Sequence, residues 1–149
     1  MKALSILQPW AFLIVRPDLE DAAARSAALE RGLIKDVENR RWPTRFRGRF
    51  LVHAGKKWGR EQEDDMDLVR ELFPEILLPP TSMMQRGGFV GAATLVDVRN
   101  ESDSRWFFGP VGFCLRNQTP LPFAPYKGAL GFFNVSDTEP SAMAAAEGA

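Results

Sequence analysis

Residues 88–98 read GFVGAATLVDV, a nearly continuous apolar run that is bounded by glycine and by charged residues. A run of this length and composition predicts a strand that is buried on both faces. Shorter strands are predicted on either side of it, at residues 2–7, 34–39, 49–54, 111–117 and 129–135. Helices are predicted early and in the middle of the chain, so strands and helices do not alternate regularly. The pattern therefore predicts an α+β fold, with a small mixed β-barrel or strongly curved sheet and flanking helices.

The first two helices are predicted from proline and capping signals. Pro9 fits the first turn of a helix, where its missing N–H is not needed, and Trp10 begins a run at helical spacing that would face the core. Asp18 can cap a second helix after Pro17, and that Ala-rich helix would end at Gly32. Its polar character predicts a position on the surface.

Positive charge is concentrated in one part of a chain whose formal net charge is zero. Residues 31–60 carry ten of the nineteen basic residues and two acids, a surplus of eight. The ten are Arg31, Lys35, Arg40, Arg41, Arg45, Arg47, Arg49, Lys56, Lys57 and Arg60. Aromatic rings are interleaved with them, among them Trp42, Phe46 and Trp58. Because positive charge neutralises phosphates and flat rings stack on unpaired bases, this segment predicts RNA, another single-stranded nucleic acid or a nucleotide as the partner.

Much of the compensating negative charge lies in a helix predicted within residues 56–73. Met66 and Val69 lie there at helical spacing and would face the core, whereas five acids lie between residues 61 and 67. Because clustered acids repel phosphates, this helix is expected to lie away from the ligand face.

Several function classes are disfavoured by the composition. One histidine and one cysteine do not make a zinc site, and no Walker, dinucleotide-binding or nucleophile-elbow motif occurs, so neither a metal nor a cofactor is predicted. A single cysteine allows no intrachain disulfide, which fits a reducing compartment. The apolar N-terminus is interrupted by Gln8 and Pro9 and has no cleavage site, and no segment reaches membrane-spanning length. We therefore expect a cytoplasmic protein with no membrane partner, and the sequence makes no prediction of oligomeric state.

Short motifs along the chain together resemble a known family. They are QPWA at residues 8–11, KDVENR at 35–40 followed by Trp42, and RG at 47–48 followed by LVHA at 51–54. With the strand at 91–97, Trp106, Phe108, GP at 109–110 and GF at 112–113, the chain resembles the ASCH domain, which is named for its homology to activating signal cointegrator 1. The resemblance spans about residues 3–135. It implies a PUA-like β-barrel with a cleft beside the first helix that binds RNA or another nucleic acid.

The domain organisation expected from this resemblance is simple. One ASCH-like domain would occupy residues 1–135, with an inserted helix near residues 17–31, where family members pass almost directly from the first helix to the Lys-x-x-Glu element. The insertion could shield the cleft or mediate self-association. Residues 136–149 have too little apolar content to fold and are expected to be disordered.

The residues expected to contact the ligand lie in these motifs and in the basic segment. Arginine forks match phosphate geometry, and the Gln8 amide could bond a ligand from the start of the first helix. Trp42 and Trp106 could either stack on a base or pack over the barrel. The predicted binding residues are Gln8, Pro9, Trp10, Asn39, Arg40, Trp42, Arg45, Arg47, Gly48, Lys56, Lys57 and Trp106.

An enzyme acting on the same ligands is the alternative function, with Lys35, Glu38 and His53 as candidate catalytic residues. His53 or Lys35, together with Arg47, could support metal-independent ribonuclease chemistry. Some small relatives resemble amidohydrolases of acetylated cytidine, which use a Lys and a Thr three residues later. Lys35 matches that Lys, but Glu38 stands in place of the Thr, which argues against deacetylation. Lys35 and Glu38 could instead orient a ligand or form a simple ion pair at the barrel mouth, and a protein-interaction adaptor is a third alternative.

Overall fold

The structure is a computed structural model that describes residues 1–135. The strands are β1 (Lys2–Ile6), β2 (Val37–Arg40), β3 (Gly48–Ala54), β4 (Gly88–Arg99), β5 (Val111–Pro125) and β6 (Phe132–Asn134). The helices are α1 (Trp10–Val15), α2 (Ala22–Glu30) and α3 (Arg60–Leu72), and a short 3₁₀ turn covers Thr81–Met83. The tail predicted to be disordered, residues 136–149, lies outside the described residues.

One six-stranded mixed sheet organises the fold, in the order β2-β5-β4-β3-β1-β6. β1 and β3 run parallel, and the other neighbouring strands are antiparallel. The sheet forms a half-barrel with β2 and β6 at its two edges. This arrangement confirms the predicted α+β class, with a small mixed sheet and flanking helices.

Apolar side chains cover both faces of the central strands. On one face, Leu4 of β1 packs with Phe50 and Val52 of β3, and all three are fully buried. On the other face, Leu51 of β3 packs with Phe89 of β4 in a smaller cluster. Each buried side chain of this size contributes about 1.5–3 kcal/mol. The strand predicted at residues 49–54 is therefore present, and apolar side chains cover both of its faces.

The helices pack against the sheet through a separate apolar cluster. It contains Leu13 of α1 and Met66 of α3, both fully buried. Phe73, which follows α3 directly, stacks on Trp106 with ring centroids 3.8 Å apart. The amphipathic helix predicted within residues 56–73 is thus confirmed. Among the helices of residues 1–135, none is long and apolar enough to cross a membrane.

β5 is longer than the sequence predicts. The sequence predicts a strand over residues 111–117, but β5 continues to Pro125. β2 pairs with β5 only as far as Cys114, so beyond this residue one edge of β5 lacks a strand neighbour in the described sheet. Proline, which has no N–H to donate, is tolerated at such an edge, and Pro120 and Pro125 still pair with β4 on the other side.

Asp21 caps α2, and the prediction that Asp18 does so is wrong. The Asp21 carboxylate accepts a hydrogen bond from the N–H two residues later at 3.1 Å. Asp18 is instead held in an ion pair with Arg16 at 2.8 Å. α2 is fixed to the sheet by Arg25, which donates to the Gln118 carbonyl of β5 at 2.9 Å. A helix therefore lies within the segment that the sequence marks as an insertion.

Candidate nucleic-acid interface

Three charged side chains at β2 form a buried ionic chain. Lys35 is 1% exposed, and its Nζ donates to Glu38 Oε1 at 2.7 Å and to the Val37 carbonyl. The second carboxylate oxygen, Glu38 Oε2, lies 3.1 Å from Arg40 Nη2. Arg40 also donates to the Ser5 carbonyl of β1 at 2.9 Å. The ionic chain thus connects β2, at one edge of the sheet, with β1, which lies next to the other edge.

Burial alters the chemistry of this ionic chain. It lowers the pKa of Lys35 from the ordinary value, and the neighbouring Glu38 carboxylate opposes this effect. A buried amine that holds its proton less tightly is suited to proton transfer. Arg40 Nε is also buried and has no hydrogen-bond partner within residues 1–135. An unpaired buried donor of this kind is a place where a water molecule or a ligand atom can bind.

Trp10 and Phe108 form an aromatic wall beside the ionic chain. Lys35 Nζ lies 5.6 Å from the centre of the Trp10 ring, and the Trp10 and Phe108 ring centroids are 6.1 Å apart. Trp10 is half-buried and Phe108 is 47% exposed. Both rings therefore present accessible surface, although Trp10 was expected to face the core.

The acidic helix α3 reaches this wall, contrary to the expectation that it lies away from the predicted ligand face. Trp10 Nε1 donates to Asp65 Oδ2 at 3.1 Å. Burial raises the pKa of the Asp65 carboxyl, the hydrogen bond from Trp10 acts against this, and the nearby Glu61 and Asp64 carboxylates raise it further. One negative charge of α3 is thus placed next to a predicted binding residue.

The loop between β2 and β3 alternates between exposed cations and rings that pack inward. Its exposed cations are Arg41, Arg45 and Arg47, and we call it the arginine loop. Trp42 and Phe46 both contact Phe132 of β6, with ring centroids 6.3 Å and 4.9 Å away. Trp42 also packs edge-on against Phe113 of β5 at 5.3 Å. Trp42 therefore packs over the sheet, which is one of the two roles considered for it. Together the two rings hold the loop on the sheet, while the arginines face outward.

Gln8 and Pro9, both predicted to contact the ligand, are buried. Gln8 Nε2 donates to the Gln85 carbonyl at 2.7 Å, and Gln8 Oε1 accepts from the Phe12 N–H at 2.9 Å. Both ends of the amide therefore serve the start of α1 and its neighbouring loop. Gln8 is therefore held by internal hydrogen bonds and is 2% exposed, which argues against a direct contact with a ligand.

Asn39 and Trp106 are likewise occupied inside the protein. Asn39 Oδ1 accepts from the N–H groups of Phe108 and Gly109 at 2.8 Å and 3.0 Å, and its Nδ2 donates to the Trp106 carbonyl. Trp106 is 1% exposed, and its Nε1 donates to the Gly32 carbonyl at 3.0 Å. Trp106 is therefore a packing residue rather than a stacking platform, and Asn39 holds the backbone that presents Phe108.

The predicted basic surface is divided between the two ends of β3. Gly48 begins the strand with φ +127, a conformation that favours glycine, and Arg47 precedes it. Lys56 and Lys57 follow the other end and are exposed. β3 has seven residues, so at about 3.3 Å per residue its ends lie roughly 20 Å apart. Lys56 and Lys57 thus belong to a different surface from the arginine loop, one that also includes Arg86, whose Nη1 donates to the Lys56 carbonyl.

His53 stands apart from the other two candidate catalytic residues. It is 2% exposed, its Nδ1 lies 3.0 Å from Ser5 Oγ, and its Nε2 lies 2.6 Å from the Tyr126 carbonyl. Lys35, which lies just before β2, pairs with Glu38 of β2. The three predicted catalytic residues therefore form two separate groups.

The sequence analysis missed three residues of these sites: Phe108, Asp65 and Ser5. Phe108 is an exposed aromatic residue before a Gly-Pro turn, which is a signal that could have been used. Asp65 lies one residue before the buried Met66, so it is on the flank of the core-facing stripe of α3. Ser5 is adjacent to His53 through the parallel register of β1 and β3, which the sequence does not reveal.

Comparison with protein-family models gives no match, and comparison with curated proteins gives none either. Two crystal structures of mutant forms of ZmASCH from Zymomonas mobilis are similar in fold. Each is 14% identical with a TM-score of 0.48, and each match covers 97% of this chain and 96% or 94% of the other. Both carry the name of the family that the sequence motifs resemble.

Proposed function

We propose that this chain binds single-stranded RNA or an unpaired nucleotide through the surface between α1, β2 and the loop that carries Phe108. The observation that carries the proposal is the contact between an accessible aromatic wall, Trp10 and Phe108, and a buried ionic chain. Stacking a base on an aromatic ring contributes about 1–3 kcal/mol and tolerates any base. The wall therefore supplies affinity, and the polar groups beside it supply orientation.

The ionic chain offers both a donor and an acceptor to a base edge. Lys35 and Arg40 each contact one oxygen of the Glu38 carboxylate, which has about four lone-pair sites in all. A base amino group can donate to one of the remaining lone pairs. Arg40 Nε, which lacks a partner among the described residues, can donate to a base carbonyl or a phosphate oxygen. Amino and carbonyl groups lie next to each other on the edges of cytosine and guanine, which makes these bases suitable ligands.

The arginine loop supplies contacts to the backbone of the nucleic acid. Arg41, Arg45 and Arg47 are exposed, and ion pairs to acidic residues are absent for all three within residues 1–135. Guanidinium groups bind phosphates bidentately and remain charged at every physiological pH. Binding through them should therefore be sensitive to salt.

Fluorescence titration of a labelled single-stranded RNA over a range of salt concentrations tests the proposal. If about three to five phosphates are engaged, the log–log slope of affinity against salt is expected to be roughly −2 to −3.5. Replacing Arg45 and Arg47 together by alanine should reduce the magnitude of the slope, while the Arg70→Ala variant on α3 serves as a matched control. Phe108→Ala should weaken binding without changing the slope. A flat salt response in the unmodified chain would refute the electrostatic part of the proposal.

The lowered pKa of Lys35 favours one alternative, an enzyme that uses the same surface. A buried lysine can act as a base or nucleophile toward a bound nucleotide. Incubating labelled RNA or acetylated cytidine with the chain in EDTA, with Lys35→Met as the control, separates the two functions. Product that forms with the unmodified chain and not with the variant would establish the enzyme; binding without product would leave a binding module.

A further inference from the structure

A second pocket lies at the far end of β3, away from the arginine loop. Its volume is about 620 Å³, and its walls include Ser5, His53, Lys56, Tyr126 and Lys127. Ser5 and His53 are in register on the parallel strands β1 and β3. The aromatic wall and the ionic chain contribute no residue to this pocket, so it can be tested separately from the proposed RNA surface.

A hydrogen-bonded relay forms the floor of this pocket. The Tyr126 carbonyl can only accept, so His53 Nε2, 2.6 Å away, carries a proton. In the neutral imidazole, Nδ1 therefore accepts, and Ser5 Oγ donates its proton to it across 3.0 Å. When the imidazole is protonated, Nδ1 becomes a donor, and the Ser5 hydroxyl proton is released to point elsewhere. Protonation of His53 thus converts Ser5 from an internal donor into a donor for a ligand.

The charges around the relay are positive. Lys56 and Lys127 are exposed, and neither forms an ion pair with a described residue. No aspartate or glutamate of residues 1–135 lines the pocket. The other charged or titratable groups beside the relay are Arg40, which donates to the Ser5 carbonyl, and Arg86, which donates to the Lys56 carbonyl. The Tyr126 phenol is also titratable, and its ring lies against apolar rings from β4 and β6. An anion bound in this pocket would be attracted to both lysines and would favour a positive charge on a neighbouring imidazole.

Two glycines bring the backbone close to the relay. A Cβ at Gly128 would lie 2.8 Å from His53 Cε1 and 3.2 Å from Ser5 Oγ. A Cβ at Gly55 would lie 3.4 Å from Ser5 Oγ and 2.7 Å from a Leu7 methyl group. A side chain at either position would crowd the relay. Gly55 precedes Lys56 and Gly128 follows Lys127, so each lysine is next in the chain to a glycine that packs on the relay.

We propose that this pocket binds the terminal phosphate of a nucleotide or of an RNA strand, and that binding is coupled to proton uptake by His53. A phosphate monoester carries up to two negative charges, which matches two lysines. The Ser5 hydroxyl supplies a neutral donor once Nδ1 of His53 is protonated. No covalent bond forms or breaks: one proton moves from solvent to Nδ1, and the Ser5 hydroxyl turns from the imidazole to a phosphate oxygen.

The histidine itself provides the first test. The chain contains one histidine, so its imidazole signals in a proton NMR spectrum are unambiguous. Inorganic sulfate, which stays a dianion over the relevant pH range, should move the midpoint of the imidazole titration upward by about one pH unit, equivalent to tenfold tighter sulfate binding to the protonated form. An unchanged midpoint at saturating sulfate would refute the proton coupling.

Phosphate recognition is tested with AMP against adenosine. AMP should bind more tightly, and Lys56→Ala and Lys127→Ala should each weaken it by about tenfold, the usual scale for losing a charged hydrogen bond. Arg70→Ala serves as the exposed control, and both lysine changes lie on the surface, so folding is not at risk. Ser5→Ala should weaken AMP binding at low pH more than at high pH. AMP binding that both lysine variants leave unchanged would refute the site.

The source of the phosphate is distinguished with 5′-phosphorylated and 5′-hydroxyl RNA of the same sequence. A preference for the phosphorylated strand that Lys127→Ala abolishes identifies an RNA terminus as the ligand. Equal binding of the two strands, with AMP binding intact, identifies a free nucleotide as the ligand of the pocket. Because the 5′-hydroxyl strand has no 5′-phosphate, its binding reports on the proposed RNA surface and not on the pocket. Failure of the pocket and failure of the proposed RNA surface therefore give different results.

Discussion

Trp10 and Asp65 are joined by a hydrogen bond of 3.1 Å from the indole Nε1 to the carboxylate. The bond fixes the Trp10 ring and places a negative charge beside it. That charge is unfavourable in two respects: it is partly desolvated, which raises the pKa of Asp65, and it would repel a phosphate. Asp65 therefore orients the aromatic wall at a cost in stability, and it places a negative charge on the proposed RNA surface.

Asp65→Asn is expected to stabilise the chain at neutral pH. A carboxyl whose pKa is raised in the folded state contributes stability below its unfolded pKa, and this contribution is lost as pH rises through the folded pKa. Asparagine keeps an oxygen that accepts from Trp10 but does not ionise. The variant should therefore gain stability over the unmodified chain as pH rises from about 3.8 into the neutral range. Urea unfolding at pH 3.5 and pH 7 measures the difference, and a gain that is equal at both values would contradict the assignment.

The same substitution should increase RNA affinity. Two unit charges a few ångströms apart in water interact by about 1 kcal/mol, so removing the carboxylate is expected to tighten binding by up to about fivefold at low salt. The gain should shrink as salt rises, because screening reduces it. Asp67→Asn, on the exposed side of α3, is the matched control. Equal effects of the two substitutions would show that the whole acidic helix acts at a distance.

The aromatic stack inside the protein gives a different kind of prediction. Trp106 is fully buried against Phe73, so Trp106→Ala should cost about 3–5 kcal/mol. At about 2–4 °C per kcal/mol for a chain of this size, the melting temperature should fall by roughly 10 °C. RNA affinity measured on the folded variant well below its melting temperature should stay unchanged. A loss of RNA affinity without a loss of stability would mean that Trp106 contacts the ligand.

The sequence predicts elements that depend on local patterning and misses contacts that depend on register. The strand at residues 88–98 and the amphipathic helix that contains Met66 follow from apolar spacing, and both are present. Trp106 was ambiguous because an isolated tryptophan carries no periodic signal. The pairing of Ser5 with His53 requires knowing that β1 and β3 are parallel and adjacent. The clustering of basic residues in the sequence was also misleading. Those before β3 and those after it lie at opposite ends of this strand.

Substitutions of different members of the ionic chain should lower the stability of the protein by different amounts. Glu38 is the shared anion of Lys35 and Arg40, so Glu38→Gln leaves two buried cations facing each other. Lys35→Met leaves Glu38 still paired with Arg40. Removing one partner of a buried ion pair typically costs about 3–5 kcal/mol, and we expect Glu38→Gln to fall in this range and Lys35→Met to cost less. Urea unfolding of both variants measures the order, and the reverse order would mean that Arg40 does not share the carboxylate.

Substitutions in the arginine loop and in the aromatic wall should affect RNA affinity and stability differently. Arg47 is exposed, and among residues 1–135 it donates only to the Thr44 and Phe46 carbonyls of its own loop. Arg47→Ala should therefore change stability by at most about 0.5 kcal/mol. It should nevertheless weaken RNA binding, because it removes a cation from the phosphate-binding loop. Trp10→Ala should affect both quantities, since Trp10 packs on the core on one side and is accessible on the other.

The stability cost of Trp10→Ala should lie below the about 3–5 kcal/mol of a fully buried tryptophan, because part of the ring already faces solvent. Trp10→Phe is the matched control: it keeps a stacking ring but loses the bond to Asp65. If the wall binds bases, this variant should retain most of the RNA affinity, whereas Trp10→Ala should lose about tenfold or more, the value of one stacked base. Thermal melts and RNA titrations on the three variants decide the matter. An Arg47→Ala chain that melts many degrees early with unchanged RNA affinity would make Arg47 a structural residue and remove the loop from the binding surface.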